Sequence, residues 1–136
     1  SNVFELLKGA DRLPQFDQAY AALLADLADR GLLDSTMVAY TTEFGRTPQV
    51  NKDAGRDHYP LAYTQALSGG GIRGGQVLGS TDATGAEPKE RPVSVADYSA
   101  TLLHALGIRP DGYLEQTTLG RPMPLTQGGQ PVLELF

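Results

Sequence analysis

The chain has 136 residues, of which 40% are hydrophobic, and this is enough to build one domain around a single sizeable core. Its 11 basic and 16 acidic residues give a net charge of -5, so no basic field favours nucleic acid. No run of about 18 apolar residues is found, which predicts no membrane insertion. The absence of cysteine excludes disulfides, thiolate nucleophiles and cysteine-based zinc sites.

The first half of the chain predicts a helix followed by a strand. Residues 14–30 carry apolar side chains at helical spacing, with Pro14 suited to a first turn and Gly31 to a stop. Residues 37–42 predict a strand that is buried on both faces. A helix, a tight turn and a buried strand indicate an α/β protein with a largely parallel sheet, whose ligands gather beyond the carboxyl ends of the strands. Glu43 lies at such an end.

The middle of the chain predicts loops and short strands. Residues 43–60 are polar and show no period, which predicts one long loop, and loops of that length are usually functional or disordered. Residues 61–67 and 76–79 predict two further strands, and the glycine-rich residues 69–75 predict a turn between them. The glycine cluster lacks the Gly-Lys-Ser/Thr ending of a phosphate cradle.

The last third predicts a second helix and a closing segment. Residues 81–92 form a second polar loop, after which Ser94 and Asp97 are spaced as an acidic variant of the capping box. The helix that they begin is predicted to run to about Leu106. Residues 111–136 are rich in turn residues and end on an apolar segment, so we expect them to wrap back onto the core.

The long loop carries three candidate metal ligands. Carboxylate oxygens and imidazole nitrogens are common ligands of Zn²⁺ and similar divalent ions, and Glu43, Asp57 and His58 are close enough in sequence to converge. The pattern contains no closed motif such as His-x-x-x-His. The same side chains are also compatible with turn caps and with ion pairs to neighbouring arginines, so spacing leaves both interpretations open.

Two arginines in the same loop predict an anion clamp. Arg46 and Arg56 each offer a planar guanidinium fork that matches two oxygens of a phosphate or sulfate group. Such a contact would also neutralise charge in a transition state. With the three candidate metal ligands, these arginines suit an anionic ester as ligand or substrate.

The remaining polar residues offer weaker candidates. His104 lies off the apolar stripe of the second helix, which favours a solvated or boundary histidine over a ligand. No serine lies in a Gly-x-Ser-x-Gly elbow, and one loop histidine does not define a Ser-His-Asp arrangement. A serine hydrolase is therefore poorly supported.

An ordered series of motifs resembles one family over nearly the whole chain. The motifs are Thr42-Glu43-Phe44-Gly45-Arg46-Thr47-Pro48, Gly55-Arg56-Asp57-His58-Tyr59-Pro60, the glycine cluster at 68–76, the helix at 92–107, Gly120-Arg121-Pro122 and the end at 131–136. They resemble the C-terminal part of the sulfatase-like domain-of-unknown-function family 1501. The resemblance implies a three-layer α/β/α, alkaline-phosphatase-like fold, of which residues 1–136 form a single domain and only the C-terminal portion. It also implies export, and hence a periplasmic or secreted protein.

The resemblance assigns roles within the long loop. Phosphatases and sulfatases of that superfamily bind metal through an Asp-His-Gly or Asp-Asn-Gly sequence after a strand, and Glu43-Phe44-Gly45 occupies the matching place. Phe44 lacks a ligating atom. His58 is similar to the later metal-binding histidine, and Asp57 is expected to bind metal or to orient that imidazole. The nucleophile of the superfamily lies in an N-terminal half outside this sequence.

The resulting functional hypothesis is hydrolysis of a phosphate or sulfate ester, for example one on a sulfated or phosphorylated carbohydrate, by the intact protein. The resemblance implies a divalent metal ion such as Zn²⁺, Mn²⁺ or Ca²⁺. The 136-residue piece is expected to be incomplete on its own and to self-associate through exposed strand edges. The alternative is a degenerate member that binds a carbohydrate or a protein and catalyses nothing.

Overall fold

The structure is a computed structural model that describes residues 12–114 and 120–136. The described chain is mixed α/β, with two α-helices and four two-stranded antiparallel sheets. It divides into two compact units. The first contains residues 12–72 and 77–91, and the second contains 73–76, 92–114 and 120–136. Neither helix of the described residues has the length and apolarity needed to cross a membrane.

Helix α1 spans Arg12–Asp29 and confirms the helix predicted over residues 14–30. The helix stops before Gly31, as predicted. Gly31 adopts a φ of +66°, a backbone conformation that favours a residue without Cβ. The Leu32 backbone N–H donates to the Leu27 carbonyl at 2.8 Å and satisfies one of the last carbonyls of the helix. A 3₁₀ turn at Leu33–Ser35 then leads into the first strand.

Helix α1 packs on a two-stranded sheet. Strand β1, Met37–Tyr40, pairs with strand β4, Ala66–Gly69, and Val38 lies opposite Ser68 in the register. The Tyr20 hydroxyl lies 2.9 Å from the Ser68 hydroxyl, which fixes the helix over one face of the sheet. Aromatic contact between Phe16 and Tyr40 at 4.9 Å adds to this packing.

The structure corrects two expectations about this sheet. Strand β1 is not buried on both faces, because Ala39 and Tyr40 are exposed. The sheet is not largely parallel, since every strand pair among residues 12–114 and 120–136 is antiparallel. An apolar run of strand length does not distinguish a fully buried strand from one that is covered on a single face.

The predicted loops contain short strands. Strands β2, Gly45–Arg46, and β3, His58–Tyr59, pair within the loop predicted over residues 43–60. Strands β5, Ser80–Thr81, and β6, Pro88–Glu90, pair within the second polar loop. The strand predicted at 61–67 begins later, as β4, and the strand predicted at 76–79 is wrong. Gly75 and Gly79 both adopt positive φ there, which interrupts an extended strand.

The glycine cluster is a turn, as predicted. The Ile72 backbone N–H donates to the Gly69 carbonyl at 3.0 Å and closes the turn. The Gly70 backbone N–H donates to the Leu33 carbonyl at 2.8 Å, so this turn is tied to the 3₁₀ segment before β1. A side chain at Gly69 would clash with the carbonyl oxygens of Thr36 and Leu33, so the close approach requires glycine.

The second unit is built around helix α2, Val95–Ala105, which confirms the second predicted helix. The Ser94 hydroxyl accepts the Asp97 backbone N–H at 3.0 Å, and the Asp97 carboxylate accepts the Ser94 backbone N–H, so the capping box is complete. Asp97 Oδ1 also accepts the Gln130 backbone N–H at 2.8 Å. The terminal segment thus returns to the helix, as expected.

The rest of the second unit consists of short elements. Strands β7, Tyr113–Leu114, and β8, Met123–Pro124, pair antiparallel, and a 3₁₀ turn spans Leu133–Leu135. Ala100 and Val132 are the buried hydrophobic residues of the described chain. Many large apolar side chains are exposed, Val77 by 94%. The prediction of one domain over residues 1–136 stays a prediction.

Candidate functional site

The β2–β3 hairpin brings a predicted anion-binding residue and a predicted metal ligand together. Arg46 lies opposite His58 in the antiparallel register, and Gly45 lies opposite Tyr59. Directly opposed residues of an antiparallel pair have Cβ atoms about 5 Å apart and share one face. Both Arg46 and His58 are exposed to solvent. A ligand at this face therefore meets the guanidinium and the imidazole at the same time.

Phe44 contacts both of these side chains. Its ring stacks on the His58 imidazole with centroids 3.9 Å apart and planes inclined by 25°. The guanidinium carbon of Arg46 lies 5.7 Å from the centroid of the same ring. Alternate residues of an extended segment share a face, which explains why Phe44 and Arg46 lie together. We call Phe44, Arg46 and His58 the hairpin stack.

The backbone of the hairpin approaches a neighbouring segment closely at Gly45. A Cβ atom there would clash with the carbonyl oxygen of Ala62 and would lie 3.1 Å from the Tyr63 Cβ. Only glycine fits between these atoms without a shift of the backbone. Glycine at this position therefore allows the hairpin backbone to lie against Ala62 and Tyr63. The side chains of Phe44 and Arg46 project to the opposite side.

Asn51 organises the loop that joins the two short strands. Its side-chain Oδ1 accepts the backbone N–H groups of Asp53 at 3.1 Å and of Gly55 at 2.9 Å. Its Nδ2 donates to Asp57 Oδ1 at 2.8 Å. The loop predicted as functional or disordered is thus an ordered turn, and one of the predicted metal ligands takes part in its hydrogen bonding.

Arg56 stabilises the loop between β2 and β3 through hydrogen bonds to backbone carbonyls. Its Nη1 donates to the Thr47 carbonyl at 2.7 Å and also to the Pro48 carbonyl. The Arg56 carbonyl in turn accepts a hydrogen bond from Arg46 Nη1 at 3.1 Å. Arg56 is partly buried, whereas Arg46 is exposed. The two predicted anion-binding arginines therefore occupy different surroundings, and Arg46 is the more accessible.

The three predicted metal ligands do not form a metal-binding group in the described part of the chain. Within residues 12–114 and 120–136, no three side chains of His, Asp or Glu are placed to hold one ion. Asp57 contacts Asn51, and His58 contacts Phe44. Glu43 is exposed and makes no hydrogen bond or ion pair with a described residue. Metal ligation by Glu43, Asp57 and His58 stays a prediction.

Gln65 fixes the segment that precedes Glu43. Its side-chain Oε1 accepts the Thr42 backbone N–H at 3.0 Å, and its Nε2 donates to the Thr42 carbonyl at 2.8 Å. The side-chain amide of Gln65 thus bonds to Thr42 as a backbone peptide group would, and it adds one pair of hydrogen bonds to the β1–β4 ladder. The roles of Gln65 and Asn51 were not predicted from the sequence, because the hydrogen bonds of a single side-chain amide leave no periodic signal.

Two other features do not belong to the hairpin. A cavity of about 140 Å³ is lined by Ala28, Gly31, Leu33 and Asp34 at the end of helix α1. It offers a single ionisable side chain and no convergent polar groups. His104 is exposed, as its position on the helix predicted, and its ring meets Phe136 edge-on at 5.0 Å.

Comparison with known proteins identifies one family. The family described as "Protein of unknown function (DUF1501)" matches residues 7–136. The chain belongs to this family. No curated protein and no solved structure matches the chain. The match covers every residue of the hairpin stack and of the loop between its strands.

Proposed function

We propose that the intact protein binds a phosphate or sulfate ester, carried for example on a polysaccharide, and hydrolyses it outside the cytoplasm. The observation that supports this proposal is the placement of Arg46 and His58 as cross-strand partners on an exposed face. A guanidinium and an imidazole side by side offer several N–H donors to one tetrahedral anion.

The proposal includes a fold for the intact protein. We propose that it adopts the three-layer α/β/α arrangement of the alkaline phosphatase superfamily and that this chain supplies the C-terminal portion. The resemblance of the motifs supports this assignment. The same resemblance supports a periplasmic or secreted location.

In the proposed reaction, Arg46 and His58 contact the anion, and Arg56 fixes the loop that carries them. Arg46 holds an oxygen pair of the ester, because its guanidinium is exposed and permanently charged. Arg56 holds the backbone that carries Arg46 and His58, through its bonds to the Thr47 and Pro48 carbonyls. His58 donates a hydrogen bond to the anion, with Phe44 restricting the tilt of its ring.

A divalent metal ion is part of the catalytic proposal. Zn²⁺, Mn²⁺ or Ca²⁺ is the ion that the resemblance implies, with Glu43, Asp57 and His58 as proposed ligands. Such an ion would polarise the ester oxygen in the intact enzyme. Because the described residues gather no three-ligand group, we assign no step of the reaction to the ion.

A second candidate function is binding without catalysis. We propose it for a carbohydrate or protein ligand because Phe44 stands where the superfamily has a metal-binding residue and instead stacks on His58. An imidazole that lies against a phenyl ring is well placed for recognition of a ligand by stacking and hydrogen bonding. This candidate keeps the anion contact of Arg46 and discards the chemical step.

Turnover and metal content of the full-length protein distinguish the two candidates. Hydrolysis of an aryl phosphate or an aryl sulfate, together with stoichiometric metal that is lost in His58→Ala and kept in His104→Ala, would support catalysis. His104 is the matched control because it is the other histidine of the chain and is also exposed. A wild-type protein without metal and without turnover would contradict catalysis and leave binding as the function.

The exposed apolar side chains support one further proposal about the 136-residue piece. Val77, Leu106 and Tyr113 are exposed by 94%, 66% and 63%. Association removes such side chains from water, which the hydrophobic effect favours. We therefore propose that the piece self-associates, and light scattering at increasing protein concentration tests this through a rise in apparent mass.

A further inference from the structure

The hairpin stack combines one permanent cation with one imidazole on a shared aromatic ring. Phe44 lies 3.9 Å from the His58 ring and 5.7 Å from the Arg46 guanidinium carbon, measured from ring centroids. The register places Arg46 and His58 opposite each other. The imidazole is therefore held beside a positive charge, with an aromatic surface beneath it.

This arrangement disfavours a metal ion at His58 and favours an anion. A guanidinium stays protonated at every physiological pH, so it repels a divalent cation at its neighbour. Phe44 adds no ligand, and no three His, Asp or Glu side chains gather for an ion in the part of the chain that the structure describes. An oxyanion at the same place gains hydrogen bonds from both side chains.

Arg46 and Arg56 differ in how accessible their guanidinium groups are to a ligand. Among the described residues, Arg46 donates through Nη1 to the Arg56 carbonyl, and Arg56 donates through Nη1 to the carbonyls of Thr47 and Pro48. Arg46 is exposed, whereas Arg56 is partly buried. Arg46 is consequently the arginine that contacts the anion, and Arg56 fixes the loop from which Arg46 is oriented.

We infer that the hairpin stack binds the tetrahedral oxyanion of a phosphate or sulfate ester directly, without a metal ion between His58 and the anion. Arg46 and His58 contact the ligand, and Phe44 is a positioning residue that orients the imidazole. This inference rests on the proposed function in that an anionic ester is the ligand, and it replaces the proposed metal ligation by His58 with direct contact between His58 and that ester.

Calorimetric titration of the full-length protein with inorganic phosphate, and separately with sulfate, tests the direct contact. The buffer contains a chelator, so that divalent ions are removed. Arg46→Gln and His58→Gln should each weaken binding about tenfold, the loss expected for a hydrogen bond to a charged group. Arg73→Gln and His104→Gln are the matched controls, since both residues are exposed and lie outside the hairpin, and their affinities should stay at the wild-type value.

Phe44 variants test the positioning role. Phe44→Leu should weaken anion binding about threefold, the size of an exposed cation–π or stacking contact, whereas Phe44→Tyr should restore it. The His58 ring protons should be shifted upfield by the aromatic ring in the wild type and in Phe44→Tyr, and the shift should vanish in Phe44→Leu. Anion binding that is lost because the protein unfolds would not be restored by Phe44→Tyr. Circular dichroism of each variant checks that it is folded.

The outcomes separate this inference from the proposed function. Anion binding that requires added Zn²⁺, Mn²⁺ or Ca²⁺ and is lost in His58→Gln would overturn the metal-free contact and leave the ester proposal standing. Binding in chelator that is unchanged in Arg46→Gln and His58→Gln would also overturn the inference, because the anion would then lie elsewhere. The absence of anion binding under either condition would overturn both.

Discussion

The Thr101 hydroxyl accepts a hydrogen bond from the Val132 backbone N–H at 2.9 Å, and both residues are almost fully buried. The same hydroxyl donates to the Asp97 carbonyl at 2.7 Å. One buried side chain therefore joins helix α2 to the terminal segment. Removal of the hydroxyl would leave a buried N–H group without an acceptor, which is costly in a protein interior.

Thr101→Val should lower the free energy of unfolding by about 1–3 kcal/mol, because it replaces this hydroxyl by a methyl group of similar size. Ser99→Ala is the matched control, since Ser99 donates to the Val95 carbonyl on a more exposed part of the same helix. It should change the free energy by less than about 0.5 kcal/mol. Urea unfolding measures both values, and equal losses would contradict the anchoring role of Thr101.

Arg56 and Arg46 should differ in their effects on stability. Arg56→Ala removes the bonds to the Thr47 and Pro48 carbonyls and should cost about 2 kcal/mol, as expected for partly buried hydrogen bonds from a charged donor. Arg46→Ala removes one exposed bond and should cost less than about 1 kcal/mol. Unfolding in urea compares the variants, and a larger loss for Arg46→Ala would contradict the assigned roles.

Gly45→Ala should destabilise the hairpin because the added methyl group would meet the Ala62 carbonyl oxygen. Overpacking of this kind costs about 1–3 kcal/mol. Gly74→Ala is the control, since a Cβ at Gly74 meets nothing within 4 Å. Thermal unfolding should show a clear decrease in Tm for the first variant and little change for the second, and similar values would argue against the close approach.

The Asp82 carboxylate, in the turn between β5 and β6, should make the free energy of unfolding depend on pH. The Ala86 backbone N–H, followed by the Thr84 side chain, donates to the Asp82 carboxylate and lowers the pKa of that carboxyl below its usual 3.8. A lowered folded-state pKa stabilises the fold above the unfolded value, and this contribution is lost as pH falls through the folded-state pKa. It is therefore complete at neutral pH and disappears below about pH 3.8.

Asp82→Asn tests this dependence, because the amide oxygen keeps an acceptor but carries no charge. The variant should lose less stability than the wild type when the pH is lowered from neutral to acid. Urea midpoints at several pH values measure the difference. Parallel curves for the two proteins would show that Asp82 titration does not contribute.

The sequence predicts the local elements of the fold better than their pairing. Helix α1 and the capped helix α2 follow from apolar spacing and from the Ser94–Asp97 pair, since these signals act within a few residues. The β2–β3 and β5–β6 pairs were missed because strands of two or three residues show no alternation. The antiparallel pairing of β1 with β4 depends on contacts between distant segments, which periodicity does not encode.

The candidate site shows the same limit. Residue types and motif order drew attention to Arg46 and His58, and the register places them opposite each other. The convergence of Glu43 with Asp57 and His58 stays a prediction, because proximity in sequence does not determine which side chains share a face. The stacking of Phe44 on His58 was not foreseen, although the alternation of Phe44 and Arg46 in an extended segment is visible in the sequence.

We propose that His58 and Arg46 form the anion-contacting face of the hairpin. Nuclear magnetic resonance of the two imidazoles during a phosphate titration at constant pH, in the presence of a chelator, is a direct test. The ring signals of His58 should move in a saturable manner while those of His104 stay in place. Equal movement of both histidines, or no movement of His58 at saturating phosphate, would contradict it.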